Sequence, residues 1–87
     1  MIIELKNDIV NFMKTVTYEN QVSKVDELIK LILLYRDKGA LKEDVISLIV
    51  SLNKEIYWYE EGFKEEILSL VCSGLEGKGR YDDIIEW

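Results

Sequence analysis

Carboxylates dominate the side chains of this sequence that could do chemistry, because its 87 residues include no histidine. Without histidine, the pairings of histidine with serine, cysteine or a metal ion that many enzymes use are absent. Pairs of carboxylates do occur, but the two members are adjacent in the chain and point in different directions on a helix. These pairs are Glu43-Asp44, Glu60-Glu61, Glu65-Glu66 and Asp82-Asp83. The sequence therefore predicts a protein that is not an enzyme.

Two further features could bind an ion or a phosphate. Glu61 and Glu65 are four residues apart and could hold a hard cation, but without ligands from another element a solvated helix face is the simpler interpretation. Segment 74–80 has the glycines and the lysine of a phosphate-binding loop, but Gly79 stands where serine or threonine should follow the lysine. We interpret this segment as a connection to the tail, and we expect no metal and no cofactor.

An aromatic cluster set among acids, Tyr57-Trp58-Tyr59-Glu60-Glu61, is the least ordinary local chemistry in the chain. Trp58 lies two residues beyond Ile56, a rotation of about 200° that turns the indole nearly opposite the apolar stripe of its helix. An outward tryptophan among carboxylates is typical of a binding anchor, while the alternative is that the tail or the first helix covers it. The predicted partner-binding residues are Trp58, Tyr57, Glu55, Glu61, Glu65 and Asp44, with Asp82, Asp83 and Glu86 as a second patch.

The helix that would position this cluster has the strongest periodicity in the chain. Its apolar residues follow each other at steps of three and four, which places them on one face of an α-helix. They are Leu41, Val45, Leu48, Ile49, Leu52, Ile56 and Tyr59. The stripe continues in phase to Val71, but a single helix of that length would be unusual in so short a chain. We therefore predict helices 41–61 and 63–75 with a break near Gly62, and one bent helix as the alternative.

The remaining sequence predicts two more helices, 2–18 and 22–38. Asn20 or Ser23 could cap the second of these, and Gly39 ends it. Its second half is apolar nearly all round, which predicts the most buried helix, and its short connection predicts packing against the third helix. The expected fold is a single all-α domain over residues 1–87. It is a small four-helix antiparallel bundle, or a three-helix bundle plus tail, with a tail at 76–87 in which Trp87 packs on the helices.

The net charge of −6 lies entirely in the second half of the chain. Residues 1–40 carry six basic and six acidic side chains, whereas residues 41–87 carry five basic and eleven acidic ones. Such an asymmetry bears on partners rather than on fold. It disfavours nucleic acid and anionic membrane, which bind clustered lysine and arginine, and it favours a basic protein surface.

Small size, an acidic field and the lack of catalytic groups favour a protein that binds and neutralises a basic partner. The immunity protein of a bacterial toxin, or another nuclease inhibitor, has this profile, with carboxylates steering association and Trp58 as anchor. The alternative is a structural or regulatory helical module that acts through homodimerisation, with the 41–71 stripe partly in the dimer seam. The protein is thus expected to be a monomer or a homodimer.

Neither the N-terminus nor the apolar runs have the pattern of a targeting signal. The acids Glu4 and Asp8 interrupt the apolar residues of segment 1–10. This segment is therefore predicted not to be a signal peptide. The longest apolar run, 31–35, is far too short to span a bilayer. Cys72 is the only cysteine and is expected to be buried as a small hydrophobe. These features predict a cytoplasmic protein.

Overall fold

Four α-helices make up the regular structure of the residues that the computed structural model describes, which are 1–54, 62–78 and 84–87. Helix α1 spans Ile2–Met13, α2 spans Gln21–Asp37, α3 spans Lys42–Asn53 and α4 spans Gly62–Leu75. The all-α class and the four-helix bundle that periodicity predicts are confirmed. Over the described ranges, each helix is too short or too polar to cross a membrane.

The hydrophobic core draws side chains from all four helices and from the tail. Its members recur at spacings of three and four within each helix, so each helix turns one apolar face inward. Burying one such side chain stabilises the fold by about 1.5 to 3 kcal/mol. The largest fully buried side chains include Leu5, Ile9, Leu28, Ile32, Ile49, Leu52, Leu68 and Leu75.

Helix α4 is the central element of the bundle. It packs against both α3 and α2, while α1 packs against the same two helices from the other side. Helices α2 and α3, although consecutive in the chain, share no comparable interface, so the prediction that they are neighbours is wrong. The broad apolar face of α4 explains this arrangement, because Ile67 faces α2 while Cys72 lies on the side of α3.

The prediction that the second helix is the most buried is also wrong. Helix α2 buries only three side chains, whereas α4 buries seven residues. Two apolar residues of α2 remain at the surface, since Val22 is 82 % exposed and Leu34 is 52 % exposed. The apolar residues on all sides of α2 therefore do not indicate that other helices cover all of its sides.

Helix α1 ends at Met13, five residues before the predicted end. The Thr15 hydroxyl donates a hydrogen bond to the carbonyl oxygen of Phe12 at 2.6 Å. Beyond it, the backbone N–H of Thr17 donates to Asn20 Oδ1, and the N–H of Asn20 donates to the Thr17 hydroxyl. Asn20 occupies the N-cap position of α2, but its side chain holds this turn and forms no cap hydrogen bond to the helix.

Helices α2 and α4 end in the same motif. After α2, the N–H of Ala40 donates to the carbonyl oxygen of Tyr35, and Gly39 adopts the left-handed φ of 100° that this motif requires. After α4, the N–H of Lys78 donates to the Ser73 carbonyl, and Gly77 has a φ of 74°. The predicted stop at Gly39 is confirmed.

Helix α3 is shorter than its sequence pattern predicts. It ends at Asn53, and Lys54 lies in a turn, so the stripe from Leu41 to Val71 does not form one helix. Helix α4 begins at Gly62, next to the predicted break. Residues 55–61, which the pattern assigns to the third helix, lie outside the described residues.

The C-terminal residues tie together the ends of α2 and α4. Ile85 is buried, and its N–H donates to the carbonyl oxygen of Gly74 at 3.0 Å. The indole N–H of Trp87 donates to the carbonyl oxygen of Ala40 at 3.1 Å, which confirms that Trp87 packs on the bundle. At the opposite end, the rings of Tyr18 and Phe63 meet edge to face just before α2 and within the first turn of α4. Helices α2 and α4 are therefore neighbours that run in the same direction.

Candidate partner-binding surface

Three of the predicted partner-binding residues fall within the described part of the chain: Asp44, Glu65 and Glu86. All three are exposed. The other six lie outside the described residues, so the outward position of Trp58 stays a prediction. They are Glu55, Tyr57, Trp58, Glu61, Asp82 and Asp83.

Neither Asp44 nor Glu86 is brought together with Glu65. Asp44 lies in the first turn of α3, whereas Glu65 lies beside Asn53, the last residue of that helix, and beside Lys54 in the turn after it. Ten residues of helical rise separate Asp44 from Lys54, or about 15 Å. Glu86 lies at the end of the bundle away from Glu65, where its carbonyl oxygen accepts a hydrogen bond from Arg36. Asp44 therefore does not belong to the same patch as Glu65.

Glu65 instead belongs to an acidic face on the first half of α4. Glu65 and Glu66 are both exposed, while the preceding Lys64 is buried. Asp26 of α2 lies across a groove from Glu66, and both carboxylates line that groove. This grouping of Asp26, Glu65 and Glu66, which we call the acidic face, could not be found from the sequence, since it depends on α2 and α4 being neighbours.

The groove between α2 and α4 has apolar walls beneath its acidic rim. It has a volume of about 400 Å³ and is open to solvent. Val22 and Leu70, which are 82 % and 41 % exposed, lie on its two sides, with Val25 and Ile67 deeper. The sequence carried one signal for it: Ile67 and Leu70 continue the apolar stripe of the preceding helix into α4.

A second, smaller depression lies on the other side of α4, between this helix and α3. Lys54, Glu65 and Ser69 line it, and the Asn53 amide donates to the Ser69 hydroxyl at 3.1 Å. Val50, which is 39 % exposed, adds an apolar side chain to it, so its mixed charges are what distinguish it from the groove between α2 and α4. It is therefore the weaker candidate for a uniformly basic partner.

Cys72 is the nucleophilic side chain of this region, and its surroundings suppress its reactivity. The prediction that it is buried is confirmed, since only 8 % of the residue is exposed. Burial, together with a hydrogen bond from the thiol to Glu76, raises the pKa of Cys72 to about 11. The Glu76 carboxylate has a lowered pKa, chiefly because it bonds Lys78 and also accepts from Cys72. At neutral pH the sulfur is a protonated thiol, the unreactive form.

Comparisons with known proteins found no matching family model, no matching curated protein and no matching solved structure. In the described part of the chain, no three acidic or cysteine side chains come together as potential metal ligands. The Glu61 and Glu65 pair considered for a cation lies partly outside the described residues.

Proposed function

We propose that this protein binds a basic partner protein and neutralises it, as the immunity protein of a bacterial toxin or another nuclease inhibitor would. The observation that carries the proposal is the location of the charge. The whole excess of six negative charges lies in residues 41–87, and Glu65 and Glu66 present part of it on an exposed face of α4. A partner with a basic active-site cleft would be attracted to this face and blocked by it.

The mixture of charge and apolar surface supports a protein partner over a small cation. Carboxylates speed the encounter of two proteins, but a lasting complex also needs a desolvated apolar centre. Val22 and Leu70 lie beside the acidic face and supply such a surface. Trp58, predicted as an outward anchor, would add to it.

The test is capture of the partner followed by neutralisation. The immobilised protein is exposed to lysate of its native host at low salt, bound proteins are identified by mass spectrometry, and the mass of the bait is determined in solution. We expect one tightly held basic protein whose own activity is abolished by an equimolar amount of this chain. A captured protein that keeps its full activity would contradict neutralisation.

A matched pair of charge variants tests the steering. Glu65→Lys with Glu66→Lys should slow association several-fold and reduce its dependence on salt. The control, Glu4→Lys with Glu43→Lys, makes the same change in net charge in the first turns of α1 and α3. Equal slowing by both pairs would show that net charge acts without a defined face.

Homodimerisation is the competing function, and the same bait distinguishes it. A bait that runs as a dimer whose stability is indifferent to salt, with no captured partner, would favour the structural module. For Trp58→Ala, the proposed function predicts weaker partner binding with little change in folding stability. A loss of several kcal/mol in folding stability would place this side chain in a core.

A further inference from the structure

We propose that the groove between α2 and α4 is the docking site for an amphipathic, positively charged helix of the partner. Apolar side chains from consecutive turns of that helix would lie between Val22 and Leu70, over Val25 and Ile67. Its lysine or arginine side chains would face Asp26 and Glu66. The inference rests on the proposed function, because it takes the partner to be basic.

The walls of the groove support a helical occupant. They are residues 21–26 of α2 and 66–70 of α4, which lie on two neighbouring helices that run in the same direction. Amphipathic helices bind such clefts through apolar anchors spaced three, four and seven residues apart. The volume of about 400 Å³ falls within the range of small ligand sites and accommodates a few side chains.

The charges of the rim determine what kind of helix fits. The charged residues that line the groove within the described part of the chain, Asp26 and Glu66, are both acids. Glu65 lies next to Glu66 on the outer surface of α4, where both line one open depression with Leu70. A helix that brought glutamate or aspartate to this rim would be repelled, whereas lysine or arginine would pair with both walls.

The same charges argue against a second copy of this chain as the occupant. A symmetric dimer places the same surface of both subunits face to face. Two grooves in contact would bring Asp26 and Glu66 of one copy against those of the other. Four carboxylates at one apolar seam would weaken the contact that Val22 and Leu70 could make.

The first experiment uses a defined peptide probe with the full-length protein. The probe is a short synthetic helix with leucine on one face and lysine elsewhere. One control peptide has the same composition with its leucines scattered around the helix, and another has glutamate in place of lysine. We expect saturable binding of the probe alone, weakening as salt rises, with methyl NMR shifts concentrated at Val22, Val25, Ile67 and Leu70. Equal binding of the scattered peptide, or shifts centred elsewhere, would overturn the proposal.

The second experiment removes the apolar wall. Leu70→Ser should lower the affinity for the probe about tenfold, since it removes much of the apolar contact between Leu70 and the bound peptide. Val22→Ser should act in the same direction and, at 82 % exposure, leaves the fold intact. Ile3→Ser is the matched control, because Ile3 is 76 % exposed on α1. Unchanged affinity in both groove variants, or equal weakening in the control, would contradict the groove as the site.

The outcomes separate the groove from the proposed function. If a natural basic partner is captured and neutralised but Leu70→Ser and Val22→Ser bind it normally, the function stands and the groove is wrong. If no partner is captured, the function fails whatever the peptide does. Methyl shifts of the groove that grow with protein concentration, without any peptide, would identify a second copy as the occupant and overturn the proposal.

Discussion

The hydroxyl of Tyr35, near the end of α2, donates a hydrogen bond of 2.5 Å to Asp8 Oδ2 on α1. The tyrosine ring is buried, and the ammonium group of Lys38 lies 4.7 Å from its centre. The carbonyl oxygen of Tyr35 accepts the hydrogen bond from the Ala40 N–H that ends α2. One residue thus joins α1 to the C-terminal end of α2, where the tail also attaches.

Tyr35→Phe should make stability less dependent on alkaline pH. The hydrogen bond to Asp8, followed by desolvation and by the Asp8 charge, raises the pKa of Tyr35 from 10.0 to about 12. Below pH 10 the phenol is protonated in both folded and unfolded chains, so its contribution is complete. Between pH 10 and about 12 the unfolded chain loses the proton first, and the contribution falls. Urea titrations across this range should show a steeper decline for the natural protein than for the variant.

Tyr18→Phe is the control for that measurement. Tyr18 is 69 % exposed, so removing its hydroxyl should leave the alkaline decline unchanged. If Tyr35→Phe and the natural protein lost stability in parallel from pH 10 to 12, the bond to Asp8 would have no role in folding.

Gly39→Ala should destabilise the protein by about 1 to 2 kcal/mol, which is the usual cost of a left-handed backbone for a residue with a side chain. A methyl group at Gly39 would meet no atom within 4 Å, so the cost is one of backbone conformation rather than of a clash. Gly62→Ala is the matched control, since its site is equally open and its backbone is not left-handed. We expect it to be neutral or slightly stabilising in chemical denaturation. Equal effects of the two changes would contradict the role of the φ of 100°.

Ile85→Ala should cost about 2 to 3 kcal/mol, because it leaves a cavity under the tail. Ile84→Ala, one residue earlier and 45 % exposed, should change stability by less than about 0.5 kcal/mol. Hydrogen exchange supplies a second measurement, since the N–H of Ile85 is bonded to Gly74 and should be protected. Rapid exchange of that proton in the natural protein would show that the tail is not held on the bundle.

Cys72 should react slowly with a disulfide reagent until the protein unfolds. With the pKa raised from 9.0 to about 11, the thiolate at pH 8 is about a hundredfold scarcer than in the unfolded chain. Labelling should therefore accelerate by at least about that factor in urea. Glu76→Gln removes the acceptor charge and should speed labelling of the folded protein, whereas Glu43→Gln, on α3, should not. A folded rate equal to the unfolded rate would contradict the burial of this thiol.

The helices were predictable because each keeps one apolar face in phase. The starts and ends of helices depended on side-chain bonds that the pattern does not contain. Thr15, Thr17 and Asn20 bond to one another's backbone or to Phe12 and end α1 early. Periodicity shows that the apolar pattern of the first helix weakens at Thr15 and Thr17. It does not show that the Asn20 side chain closes a turn with Thr17 instead of capping α2.

The candidate surface was less predictable, because it depends on which helices are neighbours. Periodicity describes each helix alone, and a short connection suggested that α2 packs against α3. Val22 and Leu70 are distant in the chain and meet across one groove only because α4 packs against α2. Asp26 and Glu66 form its rim for the same reason.

The central position of α4 has a consequence for biosynthesis. Helices α1, α2 and α3 leave the ribosome first, yet α2 and α3 have little interface with each other, and the most extensive contact of α3 is with α4. Until residue 75 has emerged, Leu28, Ile32, Ile49 and Leu52 lack much of their shared core. The nascent chain should therefore remain a substrate for chaperones until α4 has emerged, and the four helices should form their shared core only then.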